Sequence, residues 1–412
     1  MSFSVWKNVK IKDVAETIFS GGTPSTKKEE FWNGKINWLS SGETRNKFIV
    51  DTEKKITQEG VDNSSTKLAK KKDVVIASAG QGFTRGQTSM CLIDTYINQS
   101  LICVRAKKDI IDPYYLFYNI SSRYNELRQI SDGHSIRGSL TTKLISDLNI
   151  SLPTIDEQRK IREILFSIDN KIETNNEINK KLEEMAQAIF KQWFVDFEFP
   201  NEDGKPYKSS GGEMVESELG IIPEGWKIKE LKEVIKFNKG KKPKIITDKE
   251  FDNSKLYLTI DVLNRNSIQY AINDKVVLAN KKDILMVMDG ASSGSLYYGL
   301  DGIVGSTLSK LVINDEYIND DILYYFLKLN EFNIKGHLTG SAIPHTDKEY
   351  VNRLIMCIPN DKELLVKVTK ILSDIREKVI INNEENSRLI KLRDILLPKL
   401  MSGEIRIPLG HE

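Results

Sequence analysis

The side chains that could do covalent chemistry are few and poorly spaced for it. Asp361-Lys362-Glu363 sets two acids around a lysine, a pattern that could hold a divalent ion for phosphodiester hydrolysis. It lies where a helix is expected to begin, however, and acids there answer the positive end of the helix dipole. Gly21-Gly22-Thr23-Pro24-Ser25 is glycine-rich but lacks the lysine and the spacing of a phosphate-binding loop. The four histidines (His134, His337, His345, His411) show no ligand spacing, and Cys91, Cys103 and Cys357 form no CxxC pair. Neither a zinc site nor a disulfide framework is therefore expected. No catalytic residue, metal or cofactor is assigned.

The chain also carries residue types that could bind nucleic acid. Arg, Lys, Asn and Gln bond base edges, while Lys, Ser and Thr bond phosphates. The loop Gly80-Gln81-Gly82-Phe83-Thr84-Arg85-Gly86-Gln87-Thr88 is uncharged except for Arg85 and rich in such groups. Gln81, Thr84, Arg85 and Gln87 are its candidate DNA contacts. A second candidate stretch runs from Arg137 to Lys143 and includes Ser139. Further along the chain come Lys241, Lys242 and Lys244, then Ser292, and then Ser341 and His345 in the loop Gly340 to His345. The plain alternative is a solvated surface for each basic cluster and an ordinary turn for each glycine-rich loop.

These loops need elements to carry them. The chain has 412 residues, with 40% hydrophobic and 29% charged side chains, enough apolar material for two or three domains. No apolar run approaches the roughly 18 residues that span a bilayer. Met1 to Lys10 has no apolar run that could serve as a signal peptide, and the chain reads as cytoplasmic. The net charge of +2 hides a regional bias. Residues 1–155 hold 22 Lys/Arg against 16 Asp/Glu, whereas residues 156–199 hold 7 against 10. The excess of base belongs to the globular part.

The chain also repeats itself with a period near 206 residues. Val5-Trp6-Lys7 answers Gly225-Trp226-Lys227, and Lys71-Lys72-Asp73-Val74 answers Lys281-Lys282-Asp283-Ile284. Asp112-Pro113 and Asp320-Asp321 each open an aromatic helical run. At the end of each copy a capping box is expected, Thr154 with Glu157 and Asn360 with Glu363. A long helix follows in both. Its apolar seam runs through Ile161, Leu165, Ile168, Ile172, Asn175, Asn179, Leu182, Ala186, Ile189 and Trp193, with spacings that alternate four and three. Adding 207 gives Val368, Leu372, Ile375, Val379, Asn382, Asn386, Leu389, Arg393, Leu396 and Leu400.

Asparagine thus falls at the same two seam places in both helices. Buried Asn at a seam position fixes register at a cost in stability, so Asn175, Asn179, Asn382 and Asn386 are candidate register residues. An antiparallel pairing would set Asn175 near Asn386 and Asn179 near Asn382. A parallel pairing also matches Asn with Asn, so the spacing leaves direction open. Alternatively, the seam opens to water there. At the far end of the first helix, Phe190, Trp193, Phe194 and Phe197 are too apolar to stay exposed, and packing on the protein's own domain is the favoured expectation.

The expected fold class is α/β (α+β): two mixed α/β domains, each followed by a long helix. The expected boundaries are 1–153 for the first recognition domain, 154–199 for its helix, 200–225 for a loop-like linker, 226–359 for the second domain, 360–402 for the second helix and 403–412 for a tail. Such domains on a rigid spacer make a calliper. The 32 steps from 161 to 193 rise ~48 Å, or ~14 base pairs of duplex. Two different half-sites around an unread gap are the expected target.

The quoted motifs also resemble a known family. Leu152-Pro153 with Glu157-Gln158, the helix ending in Trp193-Phe194, Ile222-Pro223-Glu224-Gly225-Trp226, Gly340-Ser341-Ala342-Ile343-Pro344-His345 and the ending Leu396 to Ile405 look like type I restriction–modification specificity subunits. The resemblance covers essentially the whole chain. It implies two target recognition domains and two helices forming an antiparallel coiled coil. It further implies double-stranded DNA, two methyltransferase subunits and motor-nuclease subunits as partners, no membrane, and no catalysis by this chain. The second copy departs from the pattern with Glu363-Leu364 where the first has Glu157-Gln158. An adenine methyltransferase would need a Gly-rich cofactor loop and an Asn/Asp-Pro-Pro-aromatic motif, and neither is present. The competing class is a coiled-coil adaptor with two protein-binding modules and no DNA. The recognition half detached from a fused restriction enzyme would differ only in its partners.

Overall fold

Short β-branched and aromatic runs punctuated by Gly, Asn and Ser become strands, and long four–three apolar patterns become helices. The computed structural model describes residues 5–80, 82–132, 138–265, 267–272, 274–340 and 342–408. The chain divides into two compact units, Met1–Glu173 with Asn386–Glu412, and Thr174–Glu385. Each unit therefore holds one mixed α/β domain and half of each long helix. Among the described residues no helix is long and apolar enough to cross a membrane.

In the first unit β1 (Lys7–Lys10) closes antiparallel on β11 (Asn149–Leu152), the strand that leads into the long helix. The main sheet has the order β2 (Ala15–Ser20), β10 (Leu101–Ala106), β7 (Val74–Ala77), β8 (Thr88–Cys91) and β4 (Phe48–Ile49). All four residues of β7 are buried, as a Val-Val-Ile-Ala run covered on both faces should be. A second sheet runs β5 (Lys54–Ile56), β3 (Trp32–Leu39), β9 (Thr95–Ile97) and β6 (Lys67–Ala69), with β3 and β9 parallel. The stretch from Ile97 to Val104 reads as one strand in sequence. It is two strands in different sheets, because Asn98 turns the chain by accepting the Ser100 N–H at 3.1 Å. Helix α3 (Pro113–Ser121) is capped by Asp112, whose carboxylate accepts the N–H groups of Tyr114 and Tyr115. It buries Tyr115, Leu116, Phe117 and Tyr118 against the main sheet and against Ile161, Leu165 and Leu400 of the long helices.

The second unit repeats this topology. β14 (Trp226–Glu230) pairs with β24 (Ile355–Pro359) as β1 pairs with β11. The sheet β15 (Ile235–Lys239), β23 (Leu308–Ile313), β20 (Ile284–Val287), β21 (Leu296–Tyr297) has the order of β2, β10, β7 and β8. The parallel pair β17 (Ser254–Leu258) and β22 (Gly302–Val304) answers β3 and β9. The sequence repeat is thus a repeat of strand order. The segment 200–225 is more than the loop expected of it, because β12 (Met214–Ser217) and β13 (Gly220–Pro223) form a hairpin there.

The long helices are α6 (Ile155–Phe194) and α11 (Lys362–Ser402). Thr154 and Glu157 cap α6 reciprocally, at 3.2 Å for Thr154 N to Glu157 Oε2 and 3.4 Å for Glu157 N to Thr154 Oγ1. In the second copy the cap is Asp361, not Asn360: its Oδ1 accepts from Glu363 N at 2.8 Å and Leu364 N at 3.3 Å. Asn360 is still engaged with the strand, donating its N–H to Gly225 at 3.2 Å. The aromatic end of α6 packs within the second unit's core. Phe190 stacks on Phe194 with centroids 4.6 Å apart, and Phe194 and Phe197 both meet Trp226 edge-on.

Most of the seam is buried, with Leu182, Ile189, Leu389, Arg393 and Leu396 half-buried, and the two helices pack together. Within the second unit, Asn175 Nδ2 donates to Glu385 Oε2 at 2.9 Å and Asn382 Nδ2 donates to Asn179 Oδ1 at 2.8 Å. Rising numbers on one helix meet falling numbers on the other, so the pairing within this unit is antiparallel. All four asparagines are buried, at 1–8% exposure. Replacing Asn382 alone by leucine strands the Asn179 carbonyl and should cost about 1–3 kcal/mol. Replacing Asn179 and Asn382 together should recover most of that loss. Urea unfolding of the single and double variants measures both; a double variant as weak as the single would refute the pairing.

One repeat position carries opposite charges in the two copies. Asp169 of α6, in the first unit, accepts the Tyr118 hydroxyl at 2.7 Å and pairs with Lys47 at 2.6 Å and Arg393 at 3.1 Å. Burial pulls the Lys47 ammonium below its usual pKa, against the opposing pull of Asp169. Its counterpart in the second unit, Arg376 of α11, pairs with Asp321 at 2.7 Å and lies over the rings of Tyr298 and Tyr324 at 4.4 and 5.1 Å. Each helix is thereby keyed to its own domain by a buried charge.

Candidate nucleic-acid interface

The favoured loop joins β7 to β8, and three glycines with positive φ shape it: Gly80 at 124°, Gly82 at 75° and Gly86 at 88°. Helix α4 (Tyr124–Asp132) holds it from one side. The Tyr124 hydroxyl donates to the Phe83 carbonyl at 2.9 Å, and Arg128 Nη1 donates to the Gly82 carbonyl at 2.6 Å. Arg85 turns inward, is 6% exposed, and forms an ion pair with Asp132. Thr84 and Gln87 are half-buried, and Gln87 Oε1 accepts from Thr44 at 3.2 Å.

The second candidate stretch arrives beside this loop. Leu140 N donates to the Ser78 carbonyl at 2.8 Å. Gly138 has φ +58°, and a Cβ there would lie 1.6 Å from Arg85 Nη1. The Arg85 guanidinium thus fills the space that a side chain at 138 would take. Ser139 is half-buried, and Lys143 is exposed on α5 (Thr142–Asp147).

The second unit builds the same interlock with other side chains. Thr346 N donates to the Met288 carbonyl at 2.8 Å, as Leu140 does to Ser78. The loop between β20 and β21 meets the Gly340–His345 segment, where Gly290 N donates to the Pro344 carbonyl at 2.9 Å. His345 Nδ1 lies 2.8 Å from Asp289 Oδ1, and Lys239 Nζ lies 3.0 Å from Asp289 Oδ2. Burial raises the Asp289 carboxyl, but the bonds from His345 and Lys239 outweigh it and leave the group below its ordinary pKa. Ser292 is half-buried. Lys241, Lys242 and Lys244 are exposed just beyond Lys239, at the end of β15.

Thr84, Arg85 and Gln87 therefore come together with Ser139, and Ser292 comes together with His345. Gln81, Arg137 and Ser341 lie outside the described residues, as do His134 and His411. Sequence reasoning missed the clamps Tyr124, Arg128, Asp132, Asp289 and Lys239. The four-residue spacing of Tyr124, Arg128 and Asp132 on one helical face was the available signal. Among the described residues no group of three or more His, Cys, Asp or Glu could hold a metal ion.

The family model for the type I restriction modification DNA specificity domain matches residues 4–184 and again 223–391, once for each copy. The chain is 27% identical to the type I restriction enzyme MjaIX specificity subunit of Methanocaldococcus jannaschii, over 98% of this chain and 94% of that one. It is 24% identical to the HindI specificity subunit of Haemophilus influenzae, over 98% and 100% of the two chains. The crystal structure of a type I restriction-modification system S subunit from M. genitalium superposes with a TM-score of 0.61 at 16% identity, covering 97% of this chain and 96% of that one. With both copies matched, this chain belongs to the type I restriction–modification DNA specificity family.

Proposed function

We propose that this chain reads an asymmetric, two-part sequence in double-stranded DNA and directs adenine methylation or cleavage by partner subunits. The chain supplies recognition, and the catalysts are two methyltransferase subunits with motor-nuclease subunits for restriction. The observation that carries this reading is the repeated interlock of a glycine-rich hairpin loop with a second loop, on one topology but with different side chains. One frame with two chemistries suits two different half-sites. The long helices act as an antiparallel coiled-coil spacer, with Asn175, Asn179, Asn382 and Asn386 setting its register and hence the gap.

Within the first domain, Thr84, Gln87, Ser139 and Lys143 are the proposed contacts, joined by Gln81 and Arg137. Arg85 is a positioning residue that holds the loop through Asp132. In the second domain the contacts are Lys241, Lys242, Lys244, Ser292, Ser341 and His345. The direct test is retention of the full chain on duplex DNA as salt is raised. Neutralised phosphates release counterions, so retention should fall steeply and log-linearly with salt. Absent or salt-independent retention would favour a protein-binding adaptor instead.

A further inference from the structure

The hairpin loop of the first domain keeps one large apolar side chain in water. Phe83 is 83% exposed, although the loop around it is firmly held. The carbonyl of Phe83 accepts from the Tyr124 hydroxyl, and the neighbouring carbonyl of Gly82 accepts from Arg128. Two residues on, Arg85 is buried against Asp132. The backbone on both sides of the ring is thus anchored to α4, while Gly82, with nothing within 4 Å of its Cβ position, leaves the surroundings open. A phenyl ring displayed this way gives up the burial it would gain by folding inward. Its neighbours on the loop are the half-buried polar side chains Thr84 and Gln87, so an apolar protein partner would have to cover polar groups as well.

A DNA base offers the matching chemistry: a flat apolar face bordered by polar edges and phosphates. Aromatic rings stack on bases, and apolar wedges enter opened base steps. We infer that Phe83 stacks on a base at an opened step of the first half-site, acting as a specificity-determining residue beside the polar contacts of its loop. The inference rests on the DNA-reading function proposed above. Anchored from behind by Tyr124 and Arg128, the ring meets the duplex with little further ordering to be done. Steps that unstack easily, such as pyrimidine–purine steps, are preferred at that position.

The test uses the full chain assembled with its methyltransferase, and duplexes of the methylation target in which 2-aminopurine replaces one base at a time. Apart from the target adenines that the methyltransferase extrudes, the unmodified chain should brighten 2-aminopurine at one further step in one half-site. Phe83→Ala should abolish that signal and slow methylation of the target about tenfold, while Phe83→Trp retains both. The ring is exposed, so the thermal midpoint of Phe83→Ala should be unchanged. An unchanged signal and rate in Phe83→Ala would overturn the stacking assignment and leave the recognition function intact. Loss of co-purification with the methyltransferase would overturn it too, by making Phe83 a protein contact. If the unmodified chain supports methylation of no defined sequence, the recognition function itself falls, and Phe83 with it.

Discussion

Replacing Arg376 by alanine is expected to destabilise the second unit by about 3–5 kcal/mol, because it leaves one member of a buried ion pair without its partner. Arg376 is 2% exposed and Asp321 8%. The guanidinium also donates to the Lys282 carbonyl at 3.0 Å and lies over two tyrosine rings, contacts that an ammonium cannot reproduce in full. Arg376→Lys should therefore fall between the original and the alanine variant. Removing both charges, as Arg376→Met with Asp321→Leu, should recover most of the loss, since a buried pair rarely outperforms well-packed apolar groups. Urea titration with a common slope across the variants is the measurement. An alanine variant within 1 kcal/mol of the original, on the scale of an exposed pair, would show that the pair does not key α11 to its domain.

A methyl group at position 138 should have the largest effect on recognition. Gly138→Ala places a Cβ against the Arg85 guanidinium, so either Arg85 leaves Asp132 or the backbone shifts. The left-handed φ adds about 1–2 kcal/mol of strain. Both consequences disturb the hairpin loop on which Thr84 and Gln87 sit. Methylation of the target should drop about tenfold or more, the equivalent of ~1.4 kcal/mol or above. Gly82→Ala is the matched control, with a similar left-handed φ of +75° but open space around the new methyl. If the two variants are equally active, Arg85 has no positioning part in recognition.

The seam was the most legible feature of the sequence, because a four–three pattern is local and the asparagines interrupt it at the same place twice. Their burial follows from that register, whereas direction emerges only from contacts such as Asn179 with Asn382 and Asn175 with Glu385. The repeat predicted two similar domains but not their strand order, since β pairing joins residues far apart in the chain; β2 meets β10 some eighty residues later. The linker's hairpin was hidden because Met214–Ser217 and Gly220–Pro223 are short and lack strong alternation. Arg85 stands in the sequence as a candidate DNA contact because its partner, Asp132, lies 47 positions away, beyond any local pattern. In the second copy, Asn360 and Asp361 are both good caps. Only the run of β24 to Pro359 decides between them.

The central claim, that this chain chooses the DNA sequence on which partner subunits act, is tested most directly by co-expressing it with its methyltransferase subunit and mapping N6-methyladenine across the host DNA by single-molecule sequencing. Methylation confined to one asymmetric two-part motif with a fixed gap is the predicted result. Co-purification of the two proteins without any motif-specific methylation would contradict it.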